Sequence, residues 1–135
     1  MKTSIEHINI TVSDPLATAY LLVKLFDWRI RWKGDAINGG FSVHVGGDSS
    51  YLALYTPVVS VEQTNNTYSS LLGLNHLGVV VDNLEVAESR VITAGFETYS
   101  HGDYEPGKRF YFNAPDNLEI EVVSYQSVFT SVEKC

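Results

Sequence analysis

The sequence predicts an α+β fold of two tandem βαβββ modules that form a curved mixed sheet around a shared cavity. Three observations carry this expectation. Residues 5–12, IEHINITV, match residues 74–81, LNHLGVVV, with His7 and His76 at the same place. Each of these runs is followed by a capping signal and a helical apolar period. Each half then holds three further runs with strand composition. A repeat of this order implies two similar units, each burying an apolar strand face against its own helix.

In the first half, Ile8, Ile10 and Val12 alternate with His7, Asn9 and Thr11, which is strand period with one polar face. Ser13, Asp14 and Pro15 supply a cap and an early proline. Leu16, Ala19, Tyr20, Val23 and Phe26 continue at helical spacing, with an end near Asp27. Strands follow at Trp28–Lys33, Phe41–Val45 and Tyr51–Thr56, separated by a loop over Gly34–Gly40 and a turn over Gly46–Ser50. This places module 1 at about residues 4–57. A polar linker covers 58–73, with one short turn over Tyr68–Leu72. Module 2 covers about 74–126. There, Asp82 and Asn83 cap a helix whose apolar face is Leu84, Ala87, Val91 and Ala94, and Gly95 ends it. Phe96–Ser100 reads as a strand and His101–Gly107 as a loop.

The most informative stretch is Lys108–Val123, KRFYFNAPDNLEIEVV. Two apolar-rich runs flank a turn, Asn113–Asn117, built from residues that favour φ near −65° or tolerate the left-handed region. In the second strand Leu118, Ile120 and Val122 point one way, and Glu119, Glu121 and Val123 the other. A carboxylate inside so apolar a strand calls for a partner, because an unpaired buried charge is costly. A metal ion is one such partner.

Composition narrows the function classes. The chain has 135 residues, enough for one compact unit or two small halves sharing a core, with 44% apolar and 19% charged residues. A net charge of −7 argues against nucleic acid and anionic membrane partners, and leans toward cationic over anionic ligands. Cys135 is the only cysteine, so no internal disulfide forms and a cytoplasmic, reducing location is expected, with Cys135 an exposed thiol. No signal-peptide core or membrane-length apolar run is present.

The duplicated unit, the paired first-strand histidines and a Pro-Asp turn six residues before Glu121 resemble the vicinal oxygen chelate superfamily. That group includes glyoxalase I, extradiol dioxygenases, fosfomycin-resistance enzymes and bleomycin-resistance proteins. The resemblance covers roughly Ile5–Tyr125. It implies His7, His76 and Glu121 as ligands of a divalent metal ion (Fe, Mn, Zn or Ni). Two imidazoles and a carboxylate leave coordination sites open, so a substrate can bind through neighbouring oxygens while the metal acts as a Lewis acid.

Departures from the family patterns shape the rest of the site. Ala53 stands where glyoxalase I has its fourth ligand, a glutamate, which disfavours that chemistry. Asn9 replaces the threonine after the first histidine of the fosfomycin thiol transferases. The anion-binding residues of those enzymes give way to His101, Glu105 and Arg109, of which Arg109 supplies one cation. The extradiol signature is similar to His101, Phe110-Tyr111, Pro115 and Glu121, which implies catalytic roles for His101 and Tyr111. The spacer is one residue too long, and Asn117 replaces the usual glycine.

Alternation adds ligand-binding candidates. Tyr51, Ala53 and Tyr55 share a face and suit a planar ligand, with Asn9 and Arg109 as polar contacts. Sheet packing is the alternative for the tyrosines. Trp28 and Trp32 share a face and read as core or dimer packing, with ligand contact as the alternative, and His44 reads as solvent-facing, with a substitute ligand as the alternative.

Two functions follow. The first is a metal-dependent enzyme of the dioxygenase or lyase/isomerase type, acting on a small substrate with adjacent oxygens. The second is a metal-free protein of the bleomycin-resistance kind that sequesters a small aromatic or cationic ligand. A homodimer is implied in either case.

Overall fold

A computed structural model describes residues 1–63, 66–104 and 107–125. Glu105 and the Cys135 thiol, both singled out from the sequence, lie outside the described residues. The chain divides into two compact units, 1–63 and 64–135.

The first unit runs β1 (His7–Thr11), α1 (Pro15–Phe26), β2 (Arg29–Asp35), a 3-10 turn (Ile37–Gly39), β3 (Phe41–Gly46) and β4 (Tyr51–Thr56). Its sheet has the order β1-β4-β3-β2, with β1 parallel to β4 and the other pairs antiparallel. The Asp14 carboxylate accepts from Ala17 N at 3.1 Å, which satisfies an orphan donor of the first turn of α1. Asp27 ends the helix in the left-handed region, its N–H donating to Val23 O. Ala19, Leu22 and Leu25 of α1 join Val43, Val45, Leu52 and Leu54 in a core that excludes water. The strands alternate, so the opposite sheet face carries the polar side chains.

The second unit repeats the order. It runs β5 (Leu77–Val80), α2 (Leu84–Thr93), β6 (Tyr99–Tyr104), β7 (Gly107–Ala114), a 3-10 turn (Pro115–Asn117) and β8 (Leu118–Ser124), with sheet order β5-β8-β7-β6. Asn83 caps α2 by accepting from Val86 N at 3.1 Å, and Gly95 follows it with φ +99°. Ala87 and Val91 of α2 are buried with Phe110, Phe112, Ile120 and Val122.

The fold is therefore α+β with two βαβββ modules, as the sequence predicts, but the described strands form two four-stranded mixed sheets rather than one. Every ladder closes within its own module, because β1 pairs with β4 and β5 with β8. Boundaries moved where turn chemistry was subtle. β2 continues to Asp35, two residues into the region read as a loop. The Pro115 turn is tighter than a five-residue loop, with Asp116 and Asn117 both at positive φ. β5 begins at Leu77, so His76 sits one residue ahead of its strand.

Candidate functional site

The strand registers make the internal repeat exact at the level of single residues. In the first module His7 lies opposite Tyr51 and Asn9 opposite Ala53. In the second, Gly78 lies opposite Glu121. The matched histidines at positions 7 and 76 thus make Ala53 the counterpart of Glu121, and Tyr51 the counterpart of Glu119. The neighbouring strand agrees: His44 is opposite Ala53, and Tyr111 is opposite Glu121. One set of backbone positions therefore holds His7, Tyr51, Ala53 and His44 in one module, and His76, Glu119, Glu121 and Tyr111 in the other.

In the second module these positions form a polar network. Glu121 is the cross-strand partner of Tyr111, whose hydroxyl donates to its Oε1. Arg109 Nη1 reaches the same oxygen at 3.4 Å, and Arg109 Nη2 donates to Gly107 O. The side chains of Arg109 and Glu121 are only 9% and 15% exposed, so each charge depends on the other. Glu119 accepts from Tyr68 Oη at 2.5 Å and Tyr99 Oη at 2.7 Å. Its Oε1 also lies 3.9 Å from His76 Nδ1. The hydrogen bond to Glu119 holds the Tyr68 hydroxyl above its usual pKa. Burial does the same for Tyr99, reinforced by Glu119. The Tyr99 and Tyr111 rings stack at 6.0 Å, and His76 meets Tyr111 edge-on at 5.8 Å.

The first module carries rings instead. His7 stacks on Tyr51 at 4.8 Å, Tyr51 on His44 at 4.7 Å, and His44 meets Trp32 at 4.9 Å. These steps equal the spacing of the strands that carry the rings. A bulge at Arg31 lets both Arg31 and Trp32 approach this face, with the Arg31 guanidinium 4.5 Å from the Tyr51 ring centre. Burial raises the Tyr51 hydroxyl pKa, and the nearby Glu6 carboxylate raises it further. His7 Nδ1–H donates to Glu6 Oε1 at 2.8 Å, and this bond lowers the Glu6 pKa.

The remaining candidates fall in different places. Tyr55 leans over Gly40 and donates to Ile37 O at 3.0 Å, so it closes a turn. Asn9 is exposed beside Ala53. Arg109, expected as a cation for the ligand, has its guanidinium engaged by Glu121 and Gly107 O. His101 donates from Nε2 to Glu88 Oε2 at 2.5 Å and lies beside Phe110, a ring of the buried helix side. Ser100 at φ 53° and an irregularity between Tyr99 and Gly102 break the alternation that would have aimed His101 toward Tyr111. The structure thus brings Tyr111, Arg109 and Glu121 together and sends His101 elsewhere. The β2 bulge likewise separates the tryptophans, Trp28 packing on Phe26 and Trp32 on His44. His44 is not solvent-facing but half-buried between two rings.

Glu6, Arg31, Tyr68 and Tyr99 complete these networks without having been singled out. Tyr99 carried a signal, as a strand tyrosine of the repeat. Tyr68 carried none, because the linker has no period to place it. His7 lies in the first unit, and His76 and Glu121 in the second. Among the described residues of either unit, no three His, Cys, Asp or Glu side chains gather into a metal-sized cluster.

The duplicated βαβββ module, with its helix on one sheet face and its polar groups on the other, is the vicinal oxygen chelate fold. No family model and no curated protein matches the chain. Solved structures do. The chain is similar to a glyoxylase/bleomycin resistance protein/dioxygenase domain from Frankia sp. EAN1pec, at 19% identity and TM-score 0.75, covering 92% of this chain and 98% of that one. It is similar to the trypanothione-dependent glyoxalase I of Leishmania major, at 15% identity and TM-score 0.74, covering 98% and 94%. It is also similar to a mutant of the fosfomycin resistance protein FosX from Listeria monocytogenes, solved with Mn(II) and 1S,2S-dihydroxypropylphosphonic acid. Identity there is 18% and the TM-score 0.67, covering 98% and 99%. At these identities the likeness is one of fold.

Proposed function

We propose that this protein is a divalent-metal-dependent enzyme of the lyase or isomerase type, acting on a small substrate with two adjacent oxygens. His7, His76 and Glu121 are its metal ligands in this reading. One observation carries it: each of the three side chains has a carboxylate or hydroxyl near one donor atom and no partner at the other among the described residues. His7 Nδ1–H is fixed by Glu6, and His76 Nδ1 lies 3.9 Å from Glu119 Oε1. Both hydrogen bonds to Glu121 terminate on Oε1, leaving Oε2. Imidazole ligands are characteristically oriented this way, by a carboxylate on the ring nitrogen that does not bind metal. The donor set therefore fits a divalent ion such as the Mn(II) held by the FosX structure.

When bound, the metal would polarise the substrate oxygens as a Lewis acid. The chain's own residues do the rest. Arg109 and Tyr111 fix the Glu121 carboxylate through Oε1, and Tyr68 and Tyr99 hold Glu119 close to His76. The lyase or isomerase type is preferred over dioxygenation because His101, the acid–base histidine of the extradiol resemblance, is bonded to Glu88 on the helix side. By the same resemblance we infer a homodimer in a cytoplasmic setting. Among the described residues, no helix is long and apolar enough to cross a membrane.

Metal analysis of protein purified without chelator tests this reading. Wild type should carry about one ion per chain, and His76→Ala far less. Equal metal content in the two would overturn it. A second reading, a metal-free ligand-binding protein, is favoured by Arg109, which already supplies Glu121 with a cation. Under that reading, chelator-treated protein would gain several degrees in Tm from planar cationic compounds and nothing from Mn(II).

A further inference from the structure

The polar face of the first sheet holds groups that the metal reading does not use. Trp32, His44, Tyr51 and His7 form one row across β2, β3, β4 and β1, with steps of 4.9, 4.7 and 4.8 Å between ring centres. At one end of the row the Trp32 indole is 48% exposed and lies over Gly34, where a Cβ would come within 2.8 Å of it. The β2 bulge brings a cation to the same face. The Arg31 guanidinium sits 4.5 Å from the Tyr51 ring centre, and its Nη1 donates to Gly47 O at 3.3 Å. Neighbouring donors already have acceptors: Arg29 has Asp48 at 2.5 Å, and His7 has Glu6 at 2.8 Å. Among the described residues, Arg31 has no carboxylate at ion-pair distance, and His44 has no hydrogen bond at either ring nitrogen.

We propose that this face of the first unit binds a small planar aromatic carboxylate, with its ring on Trp32 and its carboxylate on Arg31. The inference goes beyond the metal-dependent reading and needs no metal. Each part of such a ligand meets a matching group. A guanidinium is weakly hydrated, and its planar fork of N–H donors fits the two oxygens of a carboxylate. Seating it on the Tyr51 ring and on Gly47 O fixes its position before a ligand arrives. The half-exposed indole offers a large π surface for stacking. His44 stands between the two, in contact with Trp32 and Tyr51, with an N–H available to an oxygen substituent on the ligand ring.

The local charges agree. A net charge of −7 sets the chain as a whole against anions, but exposed charges act over a Debye length of only about 10 Å. Within that reach the cation without a carboxylate partner is Arg31. Glu6, the carboxylate beside the row, accepts from His7 Nδ1 at 2.8 Å and from the Tyr51 hydroxyl at 3.4 Å. Burial holds the His44 pKa below its usual value, and the charges of His7 and Arg31 lower it further against the opposing pull of Glu6. The imidazole therefore stays neutral near physiological pH and leaves the carboxylate to Arg31. Burial and Glu6 keep the Tyr51 hydroxyl protonated, so it adds no negative charge.

The test is an NMR titration of the full chain, labelled with nitrogen-15 and treated with chelator, at neutral pH. It follows the indole N–H signals of Trp28 and Trp32, told apart by Trp32→Phe. Trp28, which packs on Phe26, is the internal reference. The probes are 2-naphthoate and 2-naphthylmethylammonium, which share a ring system and differ in the sign of their charge. The naphthoate should shift the Trp32 signal saturably, and the ammonium compound should not. Cyclohexanecarboxylate, which keeps the charge and loses the π face, should bind several-fold more weakly than the naphthoate. Arg31→Met should weaken naphthoate binding about tenfold, and Arg31→Lys should restore only part of it. Arg31 is exposed, so both variants should fold and keep the Trp28 signal in place. An unmoved Trp32 signal would overturn the inference. So would an equal response to the two charges, or wild-type affinity in Arg31→Met. The protein is metal-free throughout, so failure here leaves the metal assignment intact, and failure of the metal assignment leaves this site intact.

Discussion

Arg109 and Glu121 illustrate how much one residue pair decides. Both side chains are nearly enclosed, and the ion pair is completed by the Tyr111 hydroxyl. Removing one partner of such a pair leaves a charge without water or counterion. Arg109→Met should therefore destabilise the fold by about 3 kcal/mol in urea titration. Adding Glu121→Leu to it should restore much of the loss, because two apolar side chains then fill the space. Glu6 has a subtler part. It is exposed, so Glu6→Gln should leave the urea midpoint almost unchanged. The same change should weaken Mn(II) binding by about ten- to a hundredfold, since it removes the carboxylate that orients His7. Unchanged affinity would place Glu6 outside the site.

At the scale of elements, the departures from regular structure set where side chains point. The β2 bulge brings Arg31 and Trp32 to the same polar face, which simple alternation forbids. The irregular start of β6 turns His101 back toward α2, where Glu88 accepts from both His101 and Thr98 at 2.5 Å. This tie fastens β6 to the helix. Partial burial raises the Glu88 pKa, but the two hydrogen bonds outweigh it and the net shift is downward. A carboxyl with a depressed folded pKa contributes stability above its unfolded value of 4.5, and loses it as pH falls through the lower folded value. Glu88→Gln should accordingly cost roughly 1–2 kcal/mol at neutral pH. Thermal melts compared from pH 7 downward should show the gap between variant and wild type narrowing only below about 4.5. A gap independent of pH would mean that the contact is not made by the ionised form.

For the whole molecule, the duplication explains both the symmetry and the division of labour. Equivalent backbone positions carry a ring and a methyl group in one module and carboxylates in the other: Tyr51 against Glu119, and Ala53 against Glu121. The dimer belongs to this scale as well. Light scattering should return twice the chain mass of 15.0 kDa, and a monomeric value at micromolar concentration would overturn the inferred dimer.

The fold was legible because period and punctuation are local physics. Strand alternation in residues 5–12 and 74–81, the caps at Asp14 and Asn83, and the Pro115 turn each act over a few residues. They agree with one another across the repeat. Alternation also placed Glu119 and Glu121 on one face. What the chain could not disclose by itself was every feature that depends on cross-strand register or on a break in it. The His7–Tyr51–His44–Trp32 stack, the reversal of His101 and the reach of Tyr68 to Glu119 all join residues far apart in sequence. Their contacts arise only when strands align, and a single bulged residue redirects every side chain after it. Residue types and their faces were thus determined by the sequence, whereas which nitrogen or oxygen each would leave uncommitted was decided by tertiary packing.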